Sequence, residues 1–171
     1  HKDVEDDEAY ASLAILSYPK LEVVYEEVLK VTMTEPYIPG FLAFREVDHL
    51  VSLYQNLMKS HPEFDPQVIV VDGNGVLHHR GFGLACHYGV LINKPTIGVS
   101  KKLLAVDGLS KKEVKEQSTK ALDHMGDTME LIGKSGTVWG AALKSAEDAT
   151  NPVFVSRGHQ IDLETSVKIV V

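Results

Sequence analysis

The sequence predicts an α/β domain with a mixed sheet, and three observations predict it. Val68-Ile69-Val70-Val71 and Thr96-Ile97-Gly98-Val99-Ser100 are short apolar runs stopped by turn residues, the pattern of strands buried on both faces. Val47, Leu50, Val51, Tyr54, Leu57 and Met58 recur at helical spacing and predict a helix over residues 44–59. The last third of the chain is rich in short strand-like segments, near residues 129–132, 137–143 and 153–156.

The remaining elements follow in order. Residues 1–8 are polar and read as a loop. Residues 9–17 alternate and then become apolar, which suits a strand. Tyr18-Pro19-Lys20 is a turn, and residues 21–33, rich in Val and Tyr, form a second strand paired with the first. Pro36-Tyr37-Ile38-Pro39-Gly40 is a stiffened loop. Helices are predicted over residues 82–92, 110–122 and 162–171. There is no internal repeat, low-complexity tract or linker composition, so 171 residues read as one domain.

Composition bounds the function. The apolar runs are too short to span a bilayer, and the acidic first residues do not resemble a signal peptide. The single Cys86 excludes an internal disulfide and a cysteine-rich zinc site, and it suits a reducing compartment, cytoplasm or nucleus. The net charge of -7 argues against a simple phosphate-coating protein. The charge is unevenly spread, however. Lys94, Lys101, Lys102, Lys111, Lys112, Lys115 and Lys120 lie together in the middle, either as a solvated surface or as a local nucleic-acid patch.

Asp72 is the most informative residue. It stands where an apolar strand ends and Gly73-Asn74-Gly75 begins, and ligands of open α/β sheets bind outside the carboxyl ends of strands. Gly73 and Gly75 allow a ligand close to the backbone, and a turn-forming Asp-Gly is the plainer alternative. Glu46, in the first turn of the predicted helix, is a second carboxylate for a hard cation, or a simple response to the helix dipole. His159 follows Ser156-Arg157-Gly158, just past a predicted strand and before a helix, where Gly158 allows a sharp bend; it suits proton transfer, or is a lone surface histidine. His78 and Arg80, beside His79, could touch phosphate or orient metal ligands, but adjacent histidines make a poor zinc site. Tyr37 on its stiffened loop is either a base-displacing wedge or a packed aromatic. Lys101 and Lys102, just past a strand, could reach a phosphate, and paired surface lysines are otherwise ordinary.

Four segments taken together resemble the endonuclease V family. They are Pro36-Tyr37-Ile38-Pro39-Gly40-Phe41-Leu42-Ala43-Phe44-Arg45-Glu46, Val70-Val71-Asp72-Gly73-Asn74-Gly75 with His78-His79-Arg80, Pro95-Thr96-Ile97-Gly98-Val99-Ser100-Lys101, and Pro152-Val153-Phe154-Val155-Ser156-Arg157-Gly158-His159. The combination of the first two is specific, and the segment after Asp72 is similar to the animal branch. The resemblance implies a ribonuclease H-like fold with a mixed sheet flanked by helices. It implies that Glu46 and Asp72 hold Mg²⁺, with Mn²⁺ as the alternative. His159 would be the catalytic histidine, and Lys101 would lie near the scissile phosphate. Pro36, Tyr37, Ile38 and Pro39 would form the wedge, and Gly40, Leu42, Gly73, Gly75 and Leu104 would shape the pocket for hypoxanthine. The family's first strand, with an Asp in a Gly-Val-Asp-type segment, has no counterpart here, so the first strand is expected to be missing from this chain.

The expected function is metal-dependent hydrolysis of the second phosphodiester 3′ to inosine in single-stranded RNA or DNA, by a monomer. A non-catalytic binder of inosine-containing nucleic acid is one alternative. Another ribonuclease H-like nuclease without inosine preference is the second.

Overall fold

In the computed structural model the described residues are 7–36, 38 and 40–171. They form two compact units, divided after Gln67.

The first unit is a hairpin with one helix. Strands β1 (Asp7–Leu16) and β2 (Val23–Met33) pair antiparallel from Asp7 opposite Met33 to Leu16 opposite Val23. β1 thus starts two residues before the predicted strand, inside the acidic run. Helix α1 (Leu42–Ser60) packs on both strands. Its deepest residues are Val47, Leu53 and Leu57, while Leu50, Val51, Tyr54 and Met58 flank them half-buried. Leu53 lies outside the predicted stripe, but with Leu57 it forms an i, i+4 pair on one helix face. Burial of one such leucine contributes about 1.5–3 kcal/mol. Asn56 Nδ2 donates to Glu27 Oε1 at 3.0 Å, which ties α1 to β2. One 3₁₀ turn, Pro62–Phe64, which the sequence reading did not separate from its loop, closes the unit.

The second unit is a five-stranded mixed sheet in the order β3-β4-β7-β6-β5. Its strands are β3 (Ile69–Asp72), β4 (Thr96–Ser100), β5 (Thr128–Ile132), β6 (Val138–Leu143) and β7 (Val153–His159). β3 and β4 are parallel, and every other pairing is antiparallel. Helices α2 (Leu84–Ile92), α3 (Lys111–Ala121) and α4 (Leu163–Val170) complete the unit. These elements lie where the sequence predicts them, except that β7 continues three residues past the predicted 153–156 and takes in His159. Ser110 and Asp162 prove to be N-caps rather than first helical residues. Ser110 Oγ accepts from the Glu113 N–H and Asp162 Oδ1 from the Thr165 N–H.

The sheet is covered differently on its two faces. Leu77, Val114, Leu131, Ala142 and Phe154 share one core with α3. Ile97, Leu143 and Val155 share another with Val167, Ile169 and Val170 of α4. This asymmetry corrects the expectation for residues 68–71. Ile69 and Val71 are buried, but Val70 and Asp72 alternate with them and are exposed, Val70 by 51%. β3 is an edge strand, and α4 packs against β6 and β7. An apolar run alone does not distinguish an edge strand from a central one. No helix among the described residues is long and apolar enough to cross a membrane.

Candidate active site

Asp72 is the last residue of β3, exposed and opposite Val99 of β4. The turn after it is fixed by main-chain bonds. The Gly73 N–H donates to the Val99 carbonyl at 2.9 Å, the Val76 N–H to the Arg157 carbonyl at 2.9 Å, and the Gly83 N–H to the Gly75 carbonyl at 2.9 Å. Two buried side chains complete the clamp. Ser156 Oγ accepts from the Gly75 N–H at 2.9 Å, and Ser100 Oγ donates to Asn74 Oδ1 at 3.0 Å.

The glycines serve this clamp. A Cβ on Gly75 would lie 2.1 Å from the Arg157 carbonyl oxygen, and one on Gly98 2.2 Å from the Gly75 nitrogen. The close approach is therefore made by the chain's own backbone. A Cβ on Gly73 would meet only the Leu84 side chain, at 3.2 Å. Ser156, Gly83 and Gly98 escaped the sequence reading. A glycine inside the Thr96–Ser100 strand was the available signal, because such a glycine often marks close backbone approach.

Lys101 and Lys102 leave β4 immediately after Ser100, at the sheet end where Asp72 leaves β3. Leu104 is half-buried in the same connection. That connection is anchored by Asp107, a residue with no distinguishing local signal in the sequence. Ser135 Oγ donates to Asp107 Oδ2 at 2.5 Å and Trp139 Nε1 at 2.9 Å. The Ser135 and Trp139 hydrogen bonds hold the Asp107 carboxyl below its ordinary range.

His159 is not brought to Asp72. It pairs with Thr96, at the end of β4 opposite to Val99. Three residues of strand separate the two levels, about 10 Å, and β3 and β7 lie on opposite sides of β4. The His159 N–H donates to Thr96 Oγ1 at 3.0 Å, and its Cβ lies under Gly89 of α2. The expected catalytic pairing is corrected accordingly: β7 runs antiparallel to β4, so its last residue points away from the Asp72 end.

His78 and Arg80 lie in the turn that follows Gly75. The Arg80 N–H donates to His78 Nδ1 at 3.3 Å, which leaves the neutral ring's proton on Nε2. Burial, then the charges of His79 and Arg80, push the His78 pKa down, so its ring is neutral at pH 7. Burial pushes the Cys86 thiol up, which disfavours a thiolate nucleophile.

Glu46 belongs to the first unit. It is half-buried in the second turn of α1, because the helix begins at Leu42 rather than residue 44. Pro36 and Ile38 are exposed, and Gly40 has φ +81°. Tyr37, Pro39 and the Leu42 side chain lie outside the described residues. Among the described residues no three His, Cys, Asp or Glu side chains converge on a metal position. Mg²⁺ needs only one or two carboxylates, with waters and substrate phosphate completing its shell, so the exposed Asp72 oxygens fit such an ion.

The family model for Endonuclease V matches residues 1–171. The chain belongs to the Endonuclease V family. It is 53% identical to human Endonuclease V over 161 residues, covering 94% of this chain and 57% of the human protein. It is 55% identical to mouse Endonuclease V, covering 94% of this chain and 48% of that protein. The chain thus spans about half the length of these two relatives. The crystal structure of the human protein superposes with a TM-score of 0.91 at 52% identity, over 95% of this chain and 68% of that one. Endonuclease V of Ciona intestinalis, in complex with a 24mer DNA containing an inosine followed by a ribo-adenosine, superposes with a TM-score of 0.91 at 37% identity, over 99% of this chain and 72% of that one. The mixed sheet flanked by helices is thus the Endonuclease V fold, as the resemblance implied.

Proposed function

We propose that the protein is a metal-dependent endonuclease that cuts single-stranded RNA or DNA at the second phosphodiester 3′ to inosine. The observation that carries this reading is Asp72, exposed at the end of β3 on a turn clamped by Ser156, Ser100 and three glycines. A carboxylate fixed in this way needs no reorganisation when charge develops beside it. Membership of the Endonuclease V family and the inosine-containing DNA held by the Ciona relative support the substrate.

Hydrolysis joins a water oxygen to phosphorus and expels a sugar oxygen. Asp72 would hold Mg²⁺ or Mn²⁺, with waters and substrate phosphate in the rest of the shell, and Glu46 is the second carboxylate that the resemblance implies. The ion would supply Lewis acidity and a more acidic water. Lys101, leaving the sheet at the Asp72 end, would offset negative charge gathering on the phosphate. Neutral His78, with its Nε2–H free of the Arg80 contact, would donate to a phosphate oxygen. His159 has no step in this scheme.

Metal removal tests the reading. The full-length protein, stripped by chelation, is expected to bind an inosine-containing strand without cutting it, and added Mg²⁺ should restore the cut. Cleavage that persists without divalent metal overturns metal dependence. Binding without cleavage in saturating Mg²⁺ and Mn²⁺ would favour the non-catalytic binder.

A further inference from the structure

Beyond the Asp72 turn lies a basic depression. Its volume is about 230 Å³, and Lys101, Lys102, Lys111 and Lys115 line it together with Ser118 and Asn151. The lysines come from two places. Lys101 and Lys102 follow β4, and Lys111 and Lys115 stand one helical turn apart on α3. Buried Leu103 and Phe154 form its floor, and Phe154 pairs with Ser100, next to Lys101. No acidic residue lines it, in a chain whose net charge is -7.

The rest of α3 shows that this arrangement is not simply a solvated helix. Lys112 and Glu116 form an i, i+4 pair at 4.0 Å. On the groove side Lys111 and Lys115 place like charges at the same spacing, which is mildly unfavourable without an anion. Among the described residues none of the four groove lysines has an ion pair. Lys111 and Lys115 are about 6 Å apart along the helix axis. Their side chains can engage successive phosphates of one strand.

We propose that this depression seats the phosphodiester backbone of the bound strand, beyond the phosphate that is cut. The proposal extends the nuclease reading from the cut phosphate to its neighbours, and it rests on that reading for the strand's identity. Lys101 and Lys102, which line the groove, follow β4 at the sheet end where Asp72 leaves β3, so a strand cut at Asp72 can continue past them along α3. Its contacts are electrostatic and blind to base identity, because lysine ammonium groups read charge. Inosine recognition and groove binding are therefore separable.

The test uses the full-length protein and a single strand containing adenine but no inosine. Affinity is measured by fluorescence anisotropy across a salt series, for wild type, Lys111→Gln/Lys115→Gln and Lys111→Arg/Lys115→Arg. Each lost single-strand phosphate contact flattens the log K against log salt slope by about 0.7, so the Gln pair should flatten it by about 1.4. The Arg pair should restore it. A slope unchanged in the Gln variant, lowered equally in the Arg variant, or absent in wild type overturns the proposal. Wild-type affinity for the matched inosine strand is measured alongside. If inosine confers no preference but the Gln pair still flattens the slope, the inosine reading fails and the groove stands.

Discussion

Asp72→Asn is expected to abolish cleavage of an inosine-containing strand while preserving its binding. Asparagine keeps the size of the side chain and removes the charge that would hold the ion. Metal-ion stabilisation of the reacting phosphate amounts to several kcal/mol, so the cleavage rate should fall on the order of 10³-fold. The turn bonds that fix this position come from Gly73, Asn74 and Gly75, not from the Asp72 carboxylate, so the fold should persist. Single-turnover cleavage and gel-shift affinity of the full-length protein on one oligonucleotide check both halves. Wild-type turnover by the variant would remove Asp72 from the chemistry.

The second large effect is expected from Gly75→Ala. The new methyl would lie 2.1 Å from the Arg157 carbonyl oxygen and 2.7 Å from its carbon. Both are backbone atoms of β7, so neither can swing aside. Overpacking costs about 1–3 kcal/mol, and this contact belongs at the upper end because strand backbone must move. A displacement of the turn by about 1 Å would cost on the order of 10² in rate. Gly73→Ala provides the comparison, because its methyl would meet only the Leu84 side chain, at 3.2 Å. Urea melts should therefore show a larger loss for Gly75→Ala than for Gly73→Ala. The reverse order would mean that the turn is not clamped against β7.

The fold was largely legible because each element carries a local signal. The apolar run before Asp72 and the helical spacing from Val47 both depend on near neighbours in sequence. The site was legible only in part, because strand direction is set by distant pairings. His159 just past a predicted strand was visible, but that β7 runs antiparallel to β4, carrying His159 to the far end from Asp72, was not. The exposure of Val70 depends likewise on β3 being an edge strand. Ser156 holds the site together by a hydrogen bond across 81 residues of sequence and Asp107 by bonds across 28 and 32, and no periodicity announces those. The basic groove occupies a middle position. Its lysines were visible as a charge run, but their convergence from two elements required the fold.

Mapping product ends on matched strands tests the central claim most directly. Two single strands, identical except for inosine or adenine at one position, are incubated with the full-length protein and Mg²⁺, and the new ends are located at nucleotide resolution. The account predicts one cut, at the second phosphodiester 3′ to inosine, and no cut in the adenine strand. Equal cutting of both strands, or cuts unrelated to the inosine position, would contradict it.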